Sequence, residues 1–183
     1  MELDCPDRDT IDHDKTLVVG LGNPILGDDG VGWRVAEEVL TSLNAQNSPV
    51  SLLVVVDQLS VGGLALMERM LGYERAIVID AIRIGEGTAG SLSSRPLSAL
   101  PDHSAGHTTS AHDTSLQNAL KMAQEMGLDV PSEVWVVGID TKQTEEFSEL
   151  LSPPVEAAIP GAAKMVIRLL LNGAGEADDH DLT

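Results

Sequence analysis

Four short runs of aliphatic, mostly β-branched residues, each followed by a stretch with helical spacing, most limit how this chain can fold. Thr16 to Gly20 (TLVVG), Ser51 to Val56 (SLLVVV), Ala76 to Asp80 (AIVID) and Glu133 to Gly138 (EVWVVG) are too short for helices. They are also apolar on both faces, as central parallel strands must be. Between them, Val31, Val35, Val39 and Leu40, then Leu64, Met67 and Leu71, then Leu116, Ala119, Leu120 and Ala123 recur at the spacing of one helix face. Pro154 to Leu171 reads as a fourth helix, with Pro160 either kinking it or opening a separate helix at its first turn. This alternation predicts an α/β fold with a mostly parallel central sheet. Gly87 to Arg95 is bounded by Gly and Pro and reads as a small extra strand, antiparallel at an edge.

With 183 residues the chain is expected to form one domain over residues 16–172, between an acidic flexible leader (1–15) and an acidic flexible tail (173–183). The formal charge of −18 opposes a phosphate backbone or an anionic membrane surface. Four aromatics (Trp33, Tyr73, Trp135 and Phe147) are too few for the stacking platforms that hold single strands. No nucleic-acid partner is therefore expected. No run approaches the ~18 apolar residues of a membrane span, and the start lacks the basic-then-apolar order of a secretion signal. The one cysteine, Cys5, excludes an internal disulfide and a cysteine-based metal cluster. A cytoplasmic protein without membrane insertion is the expectation.

Ligands of open α/β sheets bind at the carboxyl ends of the parallel strands. The first strand delivers GLGNPILGDDGVG, with Asp28 and Asp29, to that edge; the second delivers Asp57; the third ends in Asp80, with Arg83 and Gly85 beyond. A long polar loop over residues 101–111 leads to the third helix and brings His103, His107 and His112. Any one of these acids taken alone is more simply a helix or turn cap. Two carboxylates and an imidazole on one rim instead make an open three-ligand site for a borderline cation such as zinc or nickel. Such a cation polarises a carbonyl or lowers the pKa of a bound water. Asp29, Asp80 and His112 are the expected trio, with His107 and Asp28 in reserve. Gly20, Gly22 and Gly27 miss the G-x-G-x-x-G spacing of a dinucleotide site, and no Gly-Lys-Ser/Thr, H-E-x-x-H or G-x-S-x-G is present. No nucleotide cofactor is expected.

These residues resemble the hydrogenase maturation endopeptidases, which process the large subunit of nickel-iron hydrogenases. The matching blocks are VVGLGNPILGDDGVG (Val18 to Gly32), AIVIDAIRIGEGTAG (Ala76 to Gly90), TTSAHDTSL (Thr108 to Leu116) and VVGID followed by LLSPPVEAAIPGA (Leu150 to Ala162). The resemblance implies a three-layer α/β/α, phosphorylase/hydrolase-like domain. In it the metal-binding acids map to Asp29 and Asp80 and the histidine to His112. It further implies a nickel-loaded large-subunit precursor as substrate, losing a short C-terminal extension, with the precursor's nickel as the recognition mark. In the simplest scheme a nickel or zinc-like ion held by Asp29, Asp80 and His112 binds the scissile carbonyl or an attacking water, with Asp28 as a proton acceptor; in a second scheme the trio grips the substrate's own nickel. Family members commonly carry Asp-Gly-Gly after the second strand, where this chain has Asp57-Gln58-Leu59. Three other readings compete: a purely structural domain with incidental capping acids, a nickel-binding chaperone that cuts nothing, and an esterase like peptidyl-tRNA hydrolase, which VVGLGNP also resembles. The last lacks its usual Tyr and Arg-His-Asn continuation here and is opposed by the charge.

Overall fold

The computed structural model describes residues 15–46, 52–82, 87–100, 115–142 and 147–172. Among them are five strands, β1 (Thr16–Leu21), β2 (Val54–Leu59), β3 (Arg75–Ile82), β4 (Leu92–Pro96) and β5 (Glu133–Asp140). Four α-helices accompany them, α1 (Val31–Gln46), α2 (Gly63–Met70), α3 (Leu116–Glu125) and α4 (Pro153–Asn172). The sheet order is β2-β1-β3-β5-β4; β4 alone is antiparallel, at an edge beside β5. The edge strand expected from residues 87–95 is therefore present, displaced toward its C-terminal end.

Two apolar layers enclose the sheet, because side chains alternate across each strand. Val18, Ile77, Ile79, Val137 and Ile139 face α1 and α4, where Val31, Val35, Val39, Val155, Ala162 and Val166 are buried. Leu17, Val19, Ala76 and Val78 face the opposite side, against Leu66 and Met70 of α2 and the partly buried Leu116 and Leu120 of α3. The helices on the two sides follow from the connectivity. The chain steps from β1 outward to β2, then crosses back over β1 to β3, so right-handed crossovers place α1 and α2 on opposite faces. The reversal opens a crevice between the carboxyl ends of β1 and β3.

Several features of the elements differ from the sequence reading. The second strand runs over Val54–Leu59 rather than Ser51–Val56, because it lies at an edge where Asp57 and Gln58 can be accommodated and Leu52 is left exposed. Leu40 is exposed, so the inward stripe of α1 runs through Val35, Val39 and Leu43 instead. α4 is one continuous helix through Pro160. That proline lies on the exposed side, where water can satisfy the carbonyl it leaves without a partner.

Backbone packing without intervening side chains brings the first loop onto the crevice. A Cβ on Gly32 would strike the Leu21 carbonyl and lie 2.6 Å from the Ile79 carbonyl oxygen, so the start of α1 sits directly on the ends of β1 and β3. Gly22 has φ of 121°, and a Cβ there would collide with the Asp29 carbonyl. Gly127 also has positive φ, 76°, but faces open space. Gly127→Ala should therefore cost only the left-handed strain, about 1–2 kcal/mol. Gly22→Ala should cost clearly more, because the loop must also move; urea denaturation of the two variants side by side measures the difference.

Candidate active site

Asp29 lies in a short 3-10 turn, Gly27–Gly30, that runs into α1. Its Oδ2 accepts the Asn23 backbone N–H at 2.6 Å. The same loop is closed by the Leu26 N–H donating to the Asn23 carbonyl (3.0 Å) and the Ile25 N–H donating to Asn23 Oδ1 (3.2 Å). Ser60 Oγ donates to the Gly22 carbonyl at 2.6 Å, bracing the loop from beyond β2. Asp29 is thus aimed by main-chain geometry.

Asp80 stands on β3 one residue past the last pair with β1, Gly20 with Ile79, and so at the mouth of the crevice. It is partly buried. Burial pushes its carboxyl up from 3.8 to about 7, and the negative charge of Asp29 adds to the rise, against a smaller lowering by the Ala81 N–H. Asp29 and Asp80, 51 positions apart in the sequence, therefore lie within electrostatic reach of each other. Two coupled carboxylates, one of them stripped of much of its water, form a donor set that a divalent cation would relieve, so the residues fit such an ion.

Among the described residues no three His, Cys, Asp or Glu side chains gather closely enough to hold a metal. Of the expected trio, Asp29 and Asp80 are near enough to feel each other's charge, and His112 lies outside the described residues. So do His103, His107, Arg83 and Gly85, and also Cys5.

Asp28 does not fit the reserve role expected of it. It is buried, 3% exposed, and both oxygens are taken by one residue: Ser152 donates its N–H to Oδ1 at 2.6 Å and its hydroxyl to Oδ2 at 2.8 Å. Ser152 in turn accepts the Val155 and Glu156 N–H groups through its carbonyl, at 3.0 and 2.9 Å. Asp28 thus fastens the start of α4 to the acid loop, and a proton-accepting role has no free oxygen. Asp57 is likewise occupied, by Arg69 Nε at 2.6 Å. Gln58 Nε2 donates to the Trp33 carbonyl at 3.0 Å and the Trp33 indole N–H to the Leu59 carbonyl at 3.1 Å, so Asp57-Gln58-Leu59 buttresses α1.

Asp140 was missed by sequence reasoning, which ended that strand at Gly138. It is buried at the carboxyl end of β5, and its Oδ2 has no hydrogen-bond partner among the described residues. Strand alternation places it on the same sheet face as Asp80, whose register partner is Gly138. The signal available in the sequence was an acid directly after an apolar strand, the same signal that singled out Asp80.

The raised Asp80 pKa has a definite consequence for stability. Its folded value lies above its unfolded value, so the folded state holds the proton more tightly, and stability falls as pH rises from about 4 through about 7. The gap from 3.8 to about 7 corresponds to at most on the order of 4 kcal/mol, less where water reaches the rim. Asp80→Asn removes the penalty. It should therefore stabilise the metal-free protein at pH 8 and leave it nearly unchanged at pH 4, measured by urea denaturation at both pH values.

Comparison with known proteins identifies the family. The sequence model of the hydrogenase maturation proteases matches residues 34–169. The hydrogenase expression/formation protein HupD of Rhodobacter capsulatus is 30% identical over 157 residues, covering 86% of this chain and 71% of that protein. HupD of Rhizobium leguminosarum is 27% identical, covering 85% of this chain and 74% of its own. Among solved structures, the hydrogenase 2 maturation peptidase of a Thaumarchaeota archaeon superposes with a TM-score of 0.55 at 29% identity, covering 85% of this chain and 97% of that one. The hydrogenase maturating endopeptidase HybD of Escherichia coli, at 23% identity, shares the fold with a TM-score of 0.61 over 85% of this chain and 91% of that one. The match of this family's model to residues 34–169, together with the mostly parallel sheet, makes the chain a member of the hydrogenase maturation proteases, which are peptide-bond hydrolases.

Proposed function

We propose that this protease removes the C-terminal extension of a nickel-loaded nickel-iron hydrogenase large-subunit precursor in the cytoplasm, with Asp29, Asp80 and His112 gripping the precursor's nickel. The observation that carries the reading is the meeting of Asp29 and Asp80 at the crevice between β1 and β3. No helix among the described residues is long and apolar enough to cross a membrane.

The nickel is part of the substrate, and when bound it supplies Lewis acidity and positive charge next to the bond to be cut. Two carboxylate oxygens and an imidazole nitrogen suit such a borderline divalent ion, and a zinc-like ion would fit the same donors. What the chain contributes is direction. Asn23 N–H holds Asp29, and Ala81 N–H holds Asp80, so the carboxylates are presented without rearranging a loop. Partial burial of Asp80 keeps water from one side of the crevice and strengthens its attraction for a cation. Family membership favours cutting over carrying nickel, and the −18 charge still opposes a tRNA substrate.

Mass spectrometry of a nickel-loaded precursor incubated with the protein should show loss of one defined C-terminal peptide. Transfer of metal at unchanged precursor mass would overturn the reading in favour of a chaperone. Asp29→Asn and His112→Ala should each slow processing by on the order of 100-fold or more while leaving the fold intact. Asp28→Ala should do the opposite: lose about 2 kcal/mol of stability, because Ser152, which precedes α4, loses the acceptor of both its N–H and its hydroxyl, yet still process below its lowered melting point.

A further inference from the structure

The segment after β5, Phe147–Leu150, runs beside the acid loop and is fastened to it. Gly27 N–H donates to the Ser148 carbonyl at 2.6 Å and Ser148 N–H donates to the Ile25 carbonyl at 3.0 Å, forming a parallel bridge between Leu26 and Ser148. Both main-chain groups of Ser148 therefore point at the loop, and the chain then bends at Glu149 and Leu150, where Ser148 Oγ accepts the Leu150 N–H at 3.0 Å and donates to the Leu150 carbonyl at 3.1 Å.

Its side chains are apolar where a free surface should be polar. Phe147, the chain's one phenylalanine, is 84% exposed, Leu150 is 80% exposed and Ile25 is 48% exposed. An exposed apolar patch of this kind is what a partner polypeptide covers. Charge narrows the occupant. An adjoining groove of about 400 Å³ is lined by Glu149 and Glu156 with Leu150, Leu151 and Ile159, and its one base, Arg34, already pairs with Glu37 at 3.8 Å. A second copy of this chain would bring another −18 to an acidic face.

We propose that Phe147–Leu150, with Ile25, is the docking edge of the site, where the substrate polypeptide binds. The occupant is a stretch of the precursor with apolar side chains for the patch and basic residues for the acidic groove, held so that the chain runs on toward Asp29. This rests on the protease reading above.

The test pairs binding with turnover. Affinity for the full-length nickel-loaded precursor is measured by biolayer interferometry on Asp29→Asn protein with and without Phe147→Ala and Leu150→Ala, and KM and kcat are measured for the same double change in the active protein. Affinity should fall about tenfold or more and KM should rise by a similar factor, with kcat within about twofold and melting temperature unchanged, since both side chains are exposed. Glu149→Lys should weaken binding in a manner that added salt reduces. Unchanged affinity and KM with normal cleavage would overturn the docking edge alone. Binding that depends on this edge, with no loss of precursor mass, would overturn the protease reading and keep the edge. No binding and no cleavage by the parent protein would overturn both.

Discussion

The site depends on a contact between backbones. The loop after β1 can lie on the ends of β1 and β3 only because nothing larger than hydrogen stands at Gly22 and Gly32, where a Cβ would meet the carbonyls of Asp29, Leu21 and Ile79. Close approach of main chain to main chain leaves little room for the loop to shift. It therefore converts the register of the sheet into the position of a carboxylate. Asn23 then fixes the direction of Asp29, and Asp28, next in sequence, uses both oxygens to fasten α4 through Ser152. Adjacent acids with opposite roles follow from the tight turn that holds them, which presents one outward and one inward.

The price of this arrangement falls on the rim of the sheet. Asp80 is held partly out of water next to another acid, and the Oδ2 of Asp140 is buried at the end of β5 without a partner among the described residues. Neither placement helps the chain fold, since buried carboxylates cost free energy unless paired. At the opposite end of the sheet the charges are matched instead: Arg75 Nε meets Glu133 at 2.9 Å, and the Trp135 indole N–H donates to the same carboxylate at 2.7 Å. The carboxyl rim is mixed: Asp57 is paired with Arg69, while Asp80 and Asp140, on the two strands beyond β1, have no base beside them among the described residues.

Much of the architecture was legible because it rests on local periodicity. The β1 and β3 runs, the inward stripe of α3, that of α1 apart from Leu40, and the antiparallel edge strand follow from local spacing. β2 was misplaced by three residues because an edge strand does not need apolar residues on both faces, so Asp57 and Gln58 read as loop. Asp29 and Asp80 could be selected because parallel strands bring their carboxyl ends to one rim. What could not be read was the partner of each acid. That Asp28 binds Ser152, 124 positions away, and that Asp57 binds Arg69 are facts of packing with no trace in spacing. The exposed Phe147 was equally silent, since an isolated aromatic looks the same in sequence whether it fills a core or awaits a partner.

The central claim is that Asp29 and Asp80 share one crevice and feel each other's charge. Carbon-13 NMR of the aspartate side-chain carboxyls, followed from pH 3 to pH 9 in the metal-free protein and again with Asp29→Asn, tests it directly. The account predicts that Asp80 titrates near 7 in the parent protein and shifts down, without reaching 3.8, once the neighbouring charge is gone. An Asp80 that titrates near 3.8 in both proteins would contradict it.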